Sequence, residues 1–156
     1  MLQPRIGIGI ALAFCLLPLA VTPAGEKKDA AKNSYFKGSV VALARLLEKQ
    51  GLKLDDDAVP HWLVLKADDG KIYPLVKDDG SRMFFKDAQL LNRPMRLTGK
   101  LMPGSQLLQV VEVHSYDRDN LLQVFYWCDI CTIKRFEKKI CDCCGGPMEL
   151  REVPVK

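Results

Sequence analysis

The sequence predicts a mainly β protein with one short helix and a cysteine-rich hairpin near its C-terminal end, and three observations carry that expectation. Residues 61–66 (HWLVLK) and 71–76 (KIYPLV) flank Ala67-Asp68-Asp69-Gly70. β-Branched and aromatic runs on either side of Asp-Gly mark a hairpin, because glycine tolerates the positive φ that the turn demands. In residues 95–102, Met95, Leu97, Gly99 and Leu101 alternate with Arg96, Thr98 and Lys100, the period of a strand with one buried face. Finally, residues 127–150 hold five of the six cysteines of the 156-residue chain.

The composition is 48% hydrophobic and 27% charged, which suits a globular chain and excludes a disordered one. The formal net charge of +4 is too small to demand a polyanionic partner. Arg5 precedes an uncharged apolar run over residues 6–21, followed by Thr22-Pro23-Ala24 with small residues where a signal peptidase reads. This pattern predicts a cleaved export signal over residues 1–24 and hence a periplasmic or secreted protein. A retained membrane anchor is the weaker alternative, since Pro18 and Pro23 interrupt the run. Cys15 reads as an apolar filler, because Phe14 is too large to precede a lipidated cysteine.

Residues 25–34 are polar and lysine-rich and read as a flexible N-terminal segment. Residues 38–42 suit a strand, and residues 43–49 fit either a strand or a helix. The run Asp55-Asp56-Asp57 lies in a connecting loop; consecutive carboxylates do not reproduce the spaced ligands of a calcium loop. Pro74 removes one ladder donor, which places the second hairpin strand at an edge or a bulge. Asp87 is positioned to cap a short helix over residues 88–92 that Pro94 prevents from running further. Residues 107–115 (LLQVVEVHS) form a further strand, and residues 121–127 a last one leading into the cysteines.

The cysteines pair as Cys128-x2-Cys131 and Cys141-x2-Cys144, with Gly145 directly after the second pair. Two facing CxxC turns supply the four soft ligands of a tetrahedral Zn2+ site. Glycine at position 145 can take positive φ and turn backbone N–H groups toward the thiolates; the first pair has Thr132 there instead. Cys143 is a fifth thiol and a possible alternative ligand to Cys144. Paired disulfides remain open, favoured by an oxidising compartment, as do a redox dithiol and an iron centre. A haem attachment site is excluded, because Thr132 stands where that motif needs histidine.

The stretch over residues 127–150 resembles a zinc ribbon, a rubredoxin-type pair of knuckles, and the resemblance implies one structural Zn2+ held by Cys128, Cys131, Cys141 and Cys144. Upstream, the order strand, two-stranded hairpin, short helix, two strands resembles an OB-fold, a small five-stranded barrel, over residues 36–115. The build is similar to uncharacterised exported bacterial proteins with an OB-like domain followed by CxxC knuckles. That resemblance implies an OB-like domain over residues 35–120 and a zinc-ribbon-like module over residues 121–156.

No nucleophile stands in a motif with a base, and His61 and His114 read as surface or barrel-rim residues, so a non-enzymatic binding or assembly module is expected. Its partner would be a protein or another component of the envelope, with membrane contact only through an uncleaved signal segment. One alternative is thiol–disulfide chemistry at the CxxC pairs. A second is single-stranded nucleic acid on an OB-like face made of Trp62, Lys66, Lys71 and Tyr73, near the basic cluster Lys134, Arg135, Lys138 and Lys139; the export signal argues against it.

Overall fold

The computed structural model describes residues 33–155; the expected signal segment, Cys15 and almost all of the expected flexible N-terminal segment lie outside them. The fold is mainly β. Its strands are β1 (Ser34–Ala42), β2 (Leu63–Ala67), β3 (Ile72–Pro74), β4 (Pro94–Leu101), β5 (Leu108–Asp117), β6 (Asn120–Cys128), β7 (Ile133–Arg135) and β8 (Glu149–Pro154). Two short helices, α1 (Leu43–Glu48) and α2 (Arg82–Lys86), and 3-10 turns at Val59–His61 and Ala88–Leu90 complete it.

All ladders between the strands are antiparallel, in the order β3-β2-β1-β4-β5-β6-β7, with β8 added to β6. The expected mainly β, antiparallel architecture is present; the sheet is not closed, so the expected small barrel is an open sheet. A single parallel bridge between Leu75 and Leu108 joins the β3 end to β5, where the Val76 N–H donates to the Leu108 carbonyl at 3.0 Å. Closure needs a continuous ladder, and β3 is only three residues long, the last of them a proline.

The hairpin forms where the Asp-Gly signal places it. Gly70 takes φ 84°, its N–H donates to the Ala67 carbonyl at 3.0 Å, and Asp69 Oδ1 accepts from the Lys71 N–H at 3.0 Å. Strand β1 is the hub of this half: residues 34–39 pair with β4 while residues 38–42 pair with β2. Both ladders meet at Gly38, where a Cβ would sit 2.1 Å from the Lys66 carbonyl oxygen. Only glycine lets β2 approach β1 this closely. The ambiguous residues after β1 are helical, with Ala44 buried in α1.

Asp87 does cap, but the capped element is a 3-10 turn and the helix precedes it. Met83 and Phe84 go into the core and set α2 over residues 82–86; the chain then turns at Asp87, whose Oδ1 accepts from the Gln89 N–H at 3.2 Å. One apolar cluster joins Val40, Leu65, Leu97, Val113 and Val124 to Phe84 and continues without a break to Cys128, Cys141 and Met148.

Asp87 is 5% exposed and ties this core together. Tyr126 Oη donates to its Oδ2 at 2.6 Å, and Lys138 Nζ lies 3.4 Å from the same oxygen. Burial alone would raise the Asp87 pKa, but the Tyr126 hydroxyl, Gln89 and Lys138 together hold it below the ordinary 3.8.

Two substitutions test these constraints. Gly38→Ala should lower unfolding free energy by about 1–3 kcal/mol, read from the urea midpoint, since the added methyl meets backbone that cannot step aside. Tyr126→Phe should cost about 1–3 kcal/mol at neutral pH by removing a donor from a buried carboxylate. A depressed folded pKa makes the Asp87 contribution complete above 3.8 and lost as pH falls through the folded value, so the gap between the two proteins should narrow in acid. A gap independent of pH would separate Tyr126 from the charge on Asp87.

Candidate metal centre

Strand β6 carries Cys128 to its last position with the side chain facing the core, 1% exposed. The chain reverses at once: the Thr132 N–H donates to the Cys128 carbonyl at 2.8 Å, and β7 returns along β6 with Ile133 opposite Cys128. The second knuckle repeats the device. The Gly145 N–H donates to the Cys141 carbonyl at 2.9 Å and the Cys141 N–H to the Gly146 carbonyl at 2.8 Å, after which β8 runs back along the other edge of β6.

The two knuckles correspond residue for residue. Gly145 takes φ 70°, as its position after the second pair predicts. Thr132 takes φ 56° at the equivalent place, a left-handed conformation that a β-branched residue adopts only under constraint. Lack of glycine therefore does not change the first turn; it strains it. The equivalence of Thr132 and Gly145 in the two CxxC motifs is the sequence signal that foretells this strain.

These turns bring Cys128, Cys131, Cys141 and Cys144 together, with all four Sγ atoms within 4.8 Å of one another and Cys128 and Cys144 at 3.5 Å. None is in a disulfide. Four ligands at the usual Zn–S distance stand about 3.8 Å apart in a tetrahedron, so the group fits one metal ion. Cys128 and Cys141 are buried, Cys131 is half-buried and Cys144 is exposed; Cys143 is exposed and outside the foursome.

The thiols of the cluster differ in their electrostatics. Backbone N–H groups of Cys144 and Cys143 aimed at the Cys141 sulfur hold its pKa down at about 6. Cys131 moves the other way: its contacts with the Cys143 and Cys144 thiols, followed by burial, push it well above the ordinary value. At Cys128 the Cys131 backbone N–H works to lower the pKa, but burial and the Cys144 and Cys141 thiols outweigh it. One thiolate is thus accommodated, while thiol contacts and burial favour the protonated form at Cys131 and Cys128. A divalent cation held by Cys128, Cys131, Cys141 and Cys144 would favour the thiolate form at all four. The acids inside the two motifs are neutralised outside the cluster, Asp129 by Arg151 and Asp142 by Lys139, the latter at 2.7 Å.

The other expected site residues do not assemble. Tyr73 is 7% exposed and packs edge-on against Phe36 with ring centroids 5.0 Å apart, whereas Lys66 lies on the opposite face of the sheet. Lys71 pairs with Asp69 in the turn at 3.1 Å, and Trp62 stands half exposed just before β2. The face expected from Trp62, Lys66, Lys71 and Tyr73 is therefore not one surface, since strand alternation sends Tyr73 into the core. His61 is exposed in its 3-10 turn, but His114 is 3% exposed within β5 and not a rim residue. Of the basic cluster, Lys138 serves Asp87 and Lys139 serves Asp142, while Lys134 lies over the Phe125 ring at 4.5 Å.

Comparison of the chain with protein-family models, with curated proteins and with solved structures gives no match.

The strained first knuckle yields a prediction of opposite signs. Thr132→Gly should raise stability by about 1 kcal/mol by relieving the left-handed threonine, and Gly145→Thr should lower it by a similar amount. Denaturant midpoints of the two variants moving in the same direction would refute the equivalence of the knuckles.

Proposed function

We propose that this protein is an exported, non-enzymatic binding or assembly module whose cysteine-rich end is held by one structural Zn2+. The observation that carries the reading is the foursome Cys128, Cys131, Cys141 and Cys144, with sulfurs within 4.8 Å and no disulfide among them. Four thiolates satisfy zinc and leave no position for water or substrate, which favours a staple over a catalytic ion. The pattern of residues 1–24 supports export, and the partner is a protein or another envelope component.

The redox alternative has weaker support. A nucleophilic thiol has to combine a lowered pKa with access, and Cys141, whose pKa is lowered, is 2% exposed. Its burial suits a ligand better than an attacking group. The nucleic-acid alternative loses support from the scattering of Trp62, Lys66, Lys71 and Tyr73.

Metal content and thiol count on protein purified from an exporting host test the centre. About one zinc per chain, with a single readily reactive thiol, is expected. Cys143→Ser should keep the zinc and lose that thiol, whereas Cys128→Ser should lose the zinc and lower thermal stability. Metal-free protein with oxidised cysteines would replace the zinc reading with a disulfide one. Protein recovered from the exporting host should begin near Gly25, and an intact Met1 would overturn cleavage.

A further inference from the structure

Beyond the metal centre, a concave surface lies where the loop before α2 meets the residues of β7. Two adjoining cavities of about 700 and 570 Å3 share Asp79, Arg82 and Phe136. One wall is built rigidly: Gly80 lies so close to β5 that a Cβ there would be 1.9 Å from the Val110 carbonyl oxygen, and Gln109 Nε2 donates to Asp78 Oδ2 at 2.8 Å. The opposite wall is β7 with the residues that follow it, and β7 ends the strand order with a partner on one edge only.

The lining specifies what fits. Arg82 is already engaged by Asp79 at 2.7 Å and Glu137 at 3.5 Å. Lys100, Lys134 and Arg135 have no salt-bridge partner among the described residues, so the groove offers cations to carboxylates. Phe136 and the exposed Val111 supply apolar contact between them. Asp78 Oδ1, at the border of the first cavity, is buried and accepts no hydrogen bond. An acceptor in that position wants an N–H donor, which a peptide backbone carries and a phosphate does not.

We infer that this groove receives an extended acidic segment of a partner protein, laid along the open edge of β7 with its carboxylates toward Lys100, Lys134 and Arg135 and an apolar side chain on Phe136. Backbone bonds to a strand edge supply affinity, and side-chain charges supply selection. The assignment rests on the reading of the protein as a binding module and names the class of partner and the place it occupies.

The test is fluorescence anisotropy on the full mature protein, metal content verified, with a labelled peptide alternating glutamate and leucine. The same peptide with lysine for glutamate, and oligothymidylate, serve as competitors. Salt-sensitive binding of the acidic peptide is expected, about tenfold weaker in Arg135→Glu and in Lys100→Glu and unchanged in Lys37→Glu, a site on β1 outside the groove. Amide exchange should slow over residues 133–137 on binding. Equal binding of the lysine peptide, tighter binding of oligothymidylate, indifference to both charge reversals, or slowed exchange elsewhere would each overturn the assignment. Zinc-loaded, folded protein that ignores the acidic peptide removes the groove while leaving the metal reading intact; metal-free protein that still binds it does the reverse.

Discussion

Strand β6 is the member on which both halves of the molecule depend. Its first half pairs with β5, its second half with β7, and its other edge is covered by β8 along most of its length. The strand that begins as part of the sheet therefore ends at the first cysteine-bearing turn, with Cys128 already placed by the register of residues well inside the core. Because Val124, Tyr126 and Cys128 share a face, one period-2 pattern buries two core residues and a sulfur together. The apolar cluster consequently runs without interruption from Val40 to Met148.

The second link between the halves is polar. Asp87 lies in the connection between α2 and β4, yet it accepts from Tyr126 on β6 and faces Lys138 on the ribbon. A carboxylate this buried is stable only while its donors stay in place, so the three elements hold one another in position. The cysteine turns are similarly interdependent. Neither knuckle alone offers more than two of the four clustered sulfurs, and the burial of Cys128 and Cys141 comes from the sheet beneath them.

Much of the architecture was legible because local rules and tertiary structure agree. Asp-Gly at residues 69–70 marks the hairpin, the alternation of residues 95–101 marks β4, and the CxxC spacing marks the sulfur cluster. Where the rules were degenerate, tertiary packing decided: residues 43–48 became helical, and helix α2 moved ahead of Asp87 because Met83 and Phe84 have a core to enter. The aromatic face of the disfavoured nucleic-acid alternative does not form for a related reason. Tyr73 satisfies the pattern of a platform residue and of a core residue equally, and only its pairing with Leu65 reveals which face it joins. His114 was misplaced because its strand continues to Asp117, which puts it inside the sheet and not at a rim. The contact of Tyr126 with Asp87 spans distant parts of the chain and carries no local signal.

The covering of β6 on both edges has a consequence for how the protein ages in solution. Residues 121–127, LLQVFYW, form an uncharged run rich in strand-forming side chains. On one edge β5 covers residues 120–123 and β7, returned by the first knuckle, covers residues 126–128; on the other, β8, returned by the second knuckle, covers residues 122–127. Opening either turn converts an interior strand into an unprotected border, the kind of surface on which chains stack into fibrils. In this fold the cysteine cluster is therefore a guard against self-association as much as a fastener for the ribbon.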